Sequence, residues 1–448
     1  MQKKNSLTEG SIGRSLVMFA LPYLLSCFMQ TFYGMADLFV VGLYNNSDTT
    51  TAVSIGSQVM HMLTVIIVGL AMGSVVFVAQ SVGAKNKKSA EKAVGTTSVF
   101  FLIFSVVLTV ILVLLTHNIV SVMMTPPEAA EATSNYLFIC FAGIPFITAY
   151  NVISSIFRGM GDSKRPMYFV GIACIVNIVL DFVFIGTLKL GASGAALATV
   201  CGQAVSVAVS LFVLYRDRLG LDFKKSDFKI DGSILSKILT VGIPVSVQDG
   251  LIQVAFVVIT VIANSRGLTF SASVGIVEKL IGFMFLVPSA FLSAISAITA
   301  QNIGADKPQR ARQSLRYGLI ITVSWGILCC IYCQFLPQTL VGLFTKDSAV
   351  LSAGCDYLRA YSFDCIFAAI HFCFSGYFCG DRKPLISFIH NIVSIILVRI
   401  PGAYFASTVF PSNLYPMGLA APLGSVLSAV ICIVFYIYCR KCDKKAVK

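Results

Sequence analysis

Long apolar runs separated by short polar segments form the hydrophobic pattern of this 448-residue chain. A helix that spans a bilayer needs about 20 largely apolar residues. Twelve segments reach this length: 16–44, 52–82, 93–116, 129–157, 166–188, 191–215, 233–264, 274–303, 315–337, 350–378, 384–410 and 416–439. The pattern therefore predicts an all-α integral membrane protein with twelve transmembrane helices, six in each half of the chain.

The second half of the chain repeats landmarks of the first half in the same order. The motif AQSVGAKNKKSAEKA (79–93) recurs as AQNIGADKPQRARQS (300–314), and GMGDSKRPM (159–167) recurs as CGDRKPLI (379–386). A fixed period of self-similarity indicates a duplicated architecture, here two homologous halves rather than a solenoid. The predicted segments are an N-terminal lobe at 1–215, a cytoplasmic linker at 216–232 and a C-terminal lobe at 233–448.

Composition and charge agree with a membrane protein and indicate its orientation. Only 12% of the residues are charged and the mean hydropathy is +0.85, whereas about a quarter of the residues are charged in soluble proteins. The net charge is +13, but Lys189, Arg266 and Lys346 are the only cationic residues that fall in outer loops of the predicted topology. The positive-inside rule then places both termini in the cytoplasm.

The basic charge thus reflects membrane topology, and we expect no nucleic-acid partner. The first apolar run is too long for the apolar core of a signal peptide, so we expect it to remain as the first span. These features predict a multi-pass protein of the inner cell membrane, surrounded by membrane lipid. We expect it to be a monomer.

Four polar side chains fall at one predicted depth within separate spans of the first half. Asp37 and Asp181 each lie seven residues before the outer end of their span, and Thr199 lies eight residues after the start of the sixth span. These positions are about 10–12 Å below the outer surface at 1.5 Å per residue. Asn177 precedes Asp181 by four residues and shares its helix face. Ionisable residues inside spans are costly and usually functional.

Carboxylate, amide and hydroxyl oxygens are hard ligands that suit a proton or a small hard cation, not zinc or copper. We therefore predict a cation-coupling site formed by Asp37, Asn177, Asp181 and Thr199, which would be the Na⁺ ligands if the coupling ion is Na⁺. No other cofactor is expected. The alternative interpretation is that these polar groups only tie helices together.

The second half has a different pair of acidic residues, Asp249 and Asp364, near the predicted centre of the membrane. The position that corresponds to Asp181 is Arg399, 218 residues later, so the predicted coupling site exists only once. Asp249 and Asp364 have either a coupling or substrate role, or a structural role in ion pairs. The candidate partners for such ion pairs are Arg359, Lys279 and Arg399.

Pro22 lies within the first span, where its missing N–H and its ring disturb the helix. Transporters use broken or bendable helices to carry ion-binding groups. Pro22 is therefore predicted to act in helix bending, with an ordinary packing kink as the alternative.

Several motifs together resemble the multidrug and toxic compound extrusion (MATE) family. They are FYGMADLFVVG around Asp37, AQSVGAKNKKSAEKA, RGMGDSKRPM, VNIVLDFVFIG and GASGAALAT, and the likeness runs through essentially the whole chain. The resemblance implies two pseudo-symmetric six-helix lobes around a central cavity that opens alternately to either side. It also implies that Tyr33 and Asn151 line the N-lobe cavity and that Asp364 is the C-lobe acidic residue. Where one branch of the family has a glutamate in the seventh span, this chain has Asp249 instead.

The function predicted on these grounds is secondary active multidrug efflux by alternating access. Cationic or amphipathic organic compounds would leave in exchange for H⁺ or Na⁺, and Asp249 and Asp364 would face the substrate cavity. One alternative is a flippase for a lipid-linked saccharide or another amphipathic lipid, which would need a strongly cationic cavity. A membrane enzyme is not expected, because the loops contain no nucleophile paired with a base and no metal-ligand spacing.

Overall fold

The structure is a computed structural model that describes residues 7–217 and 220–446. This part of the chain is helical and contains no β-strand. Lys3, Lys4, Arg218 and Lys448, which contribute to the predicted orientation, lie outside the described residues.

Membrane-spanning helices occupy each of the twelve predicted segments. In the first half they are Ile12–Tyr44, Ser47–Gly83, Lys87–Leu114, Pro127–Ala142 with Ile144–Gly159, Lys164–Thr187, and Gly191–Asp217. In the second half they are Gly232–Asn264, Leu268–Gly304, Pro308–Phe335, Ser348–Ser362 with Asp364–Gly380, Pro384–Val409, and Tyr415–Cys442. The short helices Thr116–Val122 and Pro337–Val341 follow the third and ninth spans. The predicted fold class is confirmed.

Four spans are irregular in ways that the hydrophobic pattern did not predict. The fourth span bends by 49° at Gly143 and the tenth bends by 41° at Phe363. The first bend is followed directly by Ile144 and Pro145. Proline is tolerated in the first turn of a helix because an N–H group there has no acceptor within the helix, so its absence costs no hydrogen bond. The fifth and eleventh spans contain π-helical segments at Phe182–Thr187 and Ile395–Arg399.

Internal contacts divide the chain into two compact units. The first unit contains Leu21–Ser246, and the second contains Val247–Lys448 together with the described residues of Ser6–Ala20. The lobes predicted from the repeat, 1–215 and 233–448, follow chain order, whereas these contacts assign the beginnings of the first and seventh spans to the opposite unit.

Polar contacts anchor the beginning of the chain within the second unit. The amide Nδ2 of Asn302 donates to the carbonyl oxygen of Leu7 at 3.2 Å. Nζ of Lys307 donates to the carbonyl oxygen of Thr8 at 3.1 Å. Both donors belong to the repeated motif at 300–314, so this copy of the motif holds the chain before the first span.

Each unit has its own apolar core. In the first unit, Tyr136, Phe141 and Ile67 are almost completely buried in one cluster. In the second unit, Tyr357 and Leu358 are buried in a comparable cluster. These cores hold the helices that carry the polar residues predicted to be functional.

Two glycines allow a close approach between the second and seventh spans inside the first unit. A Cβ atom added to Gly73 would collide with the carbonyl oxygen of Ile238. A Cβ atom added to Gly242 would likewise collide with the carbonyl oxygen of Leu70. Small residues at such contacts let helix backbones pack closely within a membrane. The pair therefore fixes the beginning of the seventh span against the second span.

The predicted linker packs against the start of the third span. Thr96 Oγ1 donates to the carbonyl oxygen of Lys229 at 3.1 Å and accepts from the backbone N–H of Asp231 at 3.2 Å. Asp231 in turn accepts from the backbone N–H groups of Ile234 and Ser233, and these bonds, that of Ile234 first, lower the pKa of its carboxyl group. The linker thereby sets where the seventh span begins.

Candidate functional site

The four residues of the predicted coupling site lie together in the first unit. Asp37 comes from the first span, Asn177 and Asp181 from the fifth, and Thr199 from the sixth. Asp37, Asn177 and Asp181 are buried, with exposures of 3%, 2% and 0%. Three helices that are separate in sequence thus contribute to one polar cluster.

Direct hydrogen bonds join three of these side chains. Thr199 Oγ1 donates to Oδ2 of Asp37 at 3.2 Å. Asn177 Nδ2 lies 3.5 Å from Thr199 Oγ1 and donates to it. The carboxyl group of Asp181 is close enough to Asp37 to interact with it electrostatically. Thr199 therefore connects the first span to the fifth.

Gly202 has no side chain, and this allows the fifth and sixth spans to approach closely beside the cluster. A Cβ atom at this position would lie 3.0 Å from the carbonyl oxygen of Ala173 and 3.2 Å from Cβ of Asn177. Thr199, three residues earlier on the same helix, is therefore brought against Asn177. The π-helical segment Phe182–Thr187 begins directly after Asp181, and such segments are frequent at functional sites.

Several oxygen atoms in the cluster have no hydrogen-bond donor. Within the described residues, Oδ1 of Asp37, Oδ1 of Asn177 and both carboxyl oxygens of Asp181 are buried and accept no hydrogen bond. No ion pair joins a described Lys, Arg or His residue to either carboxyl group. Burying polar groups without partners is costly. A cluster of hard oxygens with these properties can bind a proton or a small cation.

Tyr33 lies one helical turn before Asp37 on the first span. Asn151 is buried, but its amide Nδ2 donates to the carbonyl oxygen of Ile147 on its own helix at 2.8 Å. Pro22 lies inside a helix that runs without interruption from Ile12 to Tyr44.

In the second unit, Asp364 forms an ion pair with Arg399. The distance between Oδ2 of Asp364 and Nη2 of Arg399 is 3.8 Å. Arg399 was one of the three candidate partners, whereas Arg359 pairs with Asp356 instead. Asp364 is 0% exposed, so its carboxyl group is enclosed by protein in this conformation.

Asp249 is half-buried and belongs to a separate set of contacts. Nε2 of Gln248 lies 3.5 Å from Oδ1 of Asp249, and Ser387 Oγ donates to Oε1 of Gln248 at 2.8 Å. No hydrogen bond or ion pair among the described residues joins Asp249 to Asp364. The two acidic residues that the sequence placed at a similar depth therefore have different polar partners.

The spans also bury polar residues that the sequence pattern did not indicate as functional. Gln203 is four residues after Thr199, and this spacing on one helix face could have indicated it. Arg158 is buried and stacks on the ring of Tyr23 at 4.9 Å. Thr260 Oγ1 lies 3.3 Å from Glu278, so this glutamate has a partner other than the adjacent Lys279. Only contacts between spans could identify these last two pairs.

Two repeats of membrane-spanning helices with a cluster of buried polar oxygens are typical of a multi-pass membrane transport protein. A family model described as MatE matches residues 22–183 and again residues 244–405. The two matches cover more than half of the sequence and coincide with the two repeats, so the chain belongs to the MatE family. This is a family of transporters, which confirms the predicted resemblance and the assignment as a transporter rather than an enzyme.

Known relatives and structures are similar along most of their length. The probable multidrug resistance protein YoeA of Bacillus subtilis is 29% identical over 78% of this chain and 76% of its own length. A protein of Shewanella oneidensis named FAD transporter is 24% identical over 99% of this chain and 98% of its own. A structure described as the outward-facing conformation of a multidrug resistance MATE transporter of the MOP superfamily has a TM-score of 0.92 and 23% identity, with 99% of each chain covered.

Proposed function

We propose that this protein is a secondary active antiporter that exports cationic or amphipathic organic compounds in exchange for H⁺ or Na⁺ by alternating access. The observation that carries the proposal is the cluster of Asp37, Asn177, Asp181 and Thr199, with its buried oxygens that lack donors. Similarity to proteins named for multidrug resistance supports the choice of cargo. A flippase for lipid-linked saccharides is not favoured by these relatives.

Coupling would follow from the charge of the two carboxyl groups. Without a cation, two carboxylates in a buried site repel each other and are poorly solvated. Uptake of H⁺ or Na⁺ neutralises part of this charge, which favours a conformation in which the cluster is closed. Release of the ion on the other side restores the charge and favours the opposite conformation. The first span would transmit the change, with Pro22 as its point of bending.

The remaining elements of the proposal concern the environment of the protein. The coupling ion is the only cofactor that the mechanism requires. We place the protein in the inner cell membrane with both termini in the cytoplasm, as a monomer that contacts membrane lipid and its small-molecule substrates. Tyr33 and Asn151 in the first unit, and Asp249 and Asp364 in the second, are proposed to influence substrate passage.

Dye transport in everted membrane vesicles tests the proposed function. Ethidium, the cationic probe, is added outside vesicles that contain the protein, where it meets the cytoplasmic face, and a proton gradient or a Na⁺ gradient is imposed separately with the higher ion concentration in the lumen. We expect dye movement that depends on one of the two gradients and is absent from vesicles without the protein. FAD is tested in parallel, since one relative is named for its transport. Movement of neither probe under either gradient would contradict the proposal.

Substituting Thr199 by alanine is expected to shift ion binding without abolishing transport, in opposite directions for the two candidate ions. The substitution removes the hydroxyl group that donates to Asp37 at 3.2 Å. A hydrogen bond to a charged group contributes about 1.5–3 kcal/mol. If the ion is Na⁺, the lost oxygen ligand should raise the Na⁺ concentration for half-maximal dye transport about tenfold or more. If the ion is H⁺, the lost donor to the ionised carboxylate should lower the required proton concentration by a similar factor. Thr199→Ser keeps the hydroxyl group and should remain within about twofold of the wild type. Equal behaviour of the alanine and serine variants would argue against a role for this hydroxyl group.

A further inference from the structure

The second unit contains an arginine at the repeat position of a coupling carboxylate in the first unit. Arg399 lies 218 residues after Asp181, and the same spacing relates Pro384 to Pro166. The guanidinium group of Arg399 forms an ion pair with Asp364 at 3.8 Å. The first unit therefore has a carboxylate without a cationic partner, and the second has a cation already paired with a carboxylate.

The position of the Arg399 side chain is closely defined. Its Nη2 atom donates to Ser425 Oγ at 2.7 Å. Its aliphatic part passes over Gly424, where an added Cβ atom would lie 2.5 Å from Cγ and 3.1 Å from Nε of Arg399. The residue ends the π-helical segment Ile395–Arg399, and its side chain is 12% exposed. The guanidinium group is therefore held beside Asp364 by packing and by a hydrogen bond.

Two features of Asp364 favour its ionised form without an added ion. It is the first residue of the helix Asp364–Gly380, so its carboxyl group lies at the positive end of the helix dipole. Arg399 places the positive charge of its guanidinium group 3.8 Å from Oδ2 of Asp364. Neither carboxyl oxygen accepts a hydrogen bond from the described residues. The helix end and the guanidinium group are thus its main electrostatic partners.

Further titratable side chains lie near this pair. His371 Nε2 lies 3.4 Å from Ser425 Oγ, and His390 Nε2 lies 2.9 Å from Ser375 Oγ. The two imidazole rings are 5.5 Å apart between centroids. Tyr361 is 3% exposed and packs against the ring of Tyr357 with centroids 5.8 Å apart. The carboxyl groups of Glu278 and Asp249 in the same unit contact Thr260 and Gln248 and form no ion pair with Arg399.

We propose that Arg399 is an internal counter-cation for Asp364, so that Asp364 itself takes up no H⁺ or Na⁺ during transport. The inference rests on the proposed function for the meaning of coupling. It makes Arg399 the residue that keeps Asp364 from binding an exchanged ion.

Ion counting on the purified full-length protein tests this role directly. Proton uptake is measured by potentiometric titration, and bound Na⁺ is measured with a radioactive tracer. Arg399→Gln removes the counter-cation, so we expect the variant to bind one more H⁺ or Na⁺ than the wild type. If the ion is H⁺, infrared spectra should gain the carbonyl band of one protonated carboxylic acid. The additional ion and the band should both disappear in the double variant Arg399→Gln/Asp364→Asn.

Arg399→Lys is the matched control, because it keeps the charge and should bind as many ions as the wild type. An unchanged ion count in Arg399→Gln would overturn the proposal. If Arg399→Gln does not fold, the wild type is compared with the double variant, in which no charge is left unpaired. Equal ion counts support the proposal, whereas a lower count in the double variant would show that Asp364 binds an ion in the wild type and would overturn it.

Ion counts on a variant of the first unit distinguish failure of the proposed function from failure of the role proposed for Arg399. The same counts are made on Asp37→Asn, which has an intact Arg399. If this substitution leaves ion binding unchanged, the first unit does not bind the coupling ion and the proposed function is wrong. The comparison between Arg399→Gln and the double variant does not depend on transport and would still report on Arg399.

Discussion

Replacing Asp37 by asparagine is expected to abolish ion-driven dye extrusion. Asp37 is 3% exposed and is the carboxylate to which Thr199 donates. The substitution keeps the size of the side chain but removes the charge that a cation would balance. Loss of one partner from a buried charge interaction costs about 3 kcal/mol or more, which corresponds to ion binding weakened about a hundredfold. Dye transport under a proton or Na⁺ gradient is the measurement, and Asp181→Asn should behave in the same way.

The matched control for this experiment is Asp48→Asn. Asp48 is an exposed carboxylate in the first turn of the second span, and its substitution changes the net charge by the same amount. We expect this variant to transport dye at the wild-type rate. Dye binding to purified Asp37→Asn should be retained, which separates loss of coupling from loss of folding. Transport by Asp37→Asn within about twofold of the wild type would refute the proposed coupling site, because a site without its charge should bind about a hundredfold less well.

Replacing Gly73 by alanine is expected to destabilise the protein. The added methyl group would meet the carbonyl oxygen of Ile238, a backbone atom that cannot move without shifting the seventh span. Overpacking of this kind costs about 1–3 kcal/mol. The apparent midpoint of thermal unfolding in detergent should fall by about 1–3 °C. Gly242→Ala should have a similar effect, since it meets the carbonyl oxygen of Leu70 from the other helix.

Gly275→Ala provides the control for helix propensity. Gly275 also lies inside a membrane-spanning helix, but no atom lies within 4 Å of a Cβ added there. Alanine favours a helix by about 1 kcal/mol over glycine, so the midpoint should stay constant or rise. A fall of similar size in the Gly73 and Gly275 variants would mean that close packing at Gly73 is not the cause.

The predicted spans agree well with the structure because hydrophobic length is a local property of the sequence. Each predicted segment overlaps a helix, and the fourth and tenth are the two that bend. The candidate cluster was predicted from depth along each span, and depth depends only on the rise per residue. This is why Asp37, Asp181 and Thr199 could be placed near one another before any contact was known.

Lateral contacts could not be predicted in the same way. Asp249 and Asp364 have similar predicted depths, yet Asp364 pairs with Arg399 and Asp249 contacts Gln248. Depth gives the position along a helix axis but not the direction of a side chain around it. The direction depends on which helices are neighbours, and on bends such as the one at Phe363 that make Asp364 the first residue of a helix.

The sequence by itself determined the number of spans, the duplication and the residues at which the two halves differ in charge. These properties follow from hydropathy, periodicity and residue type, and each can be read along one chain. Only the tertiary structure decided which buried charges have partners. Asp364 forms an ion pair with the guanidinium group of Arg399, whereas no described Lys, Arg or His residue forms an ion pair with Asp37 or Asp181. The reason is physical, since the electrostatic energy of a buried charge depends on distances of a few ångströms between atoms on different helices.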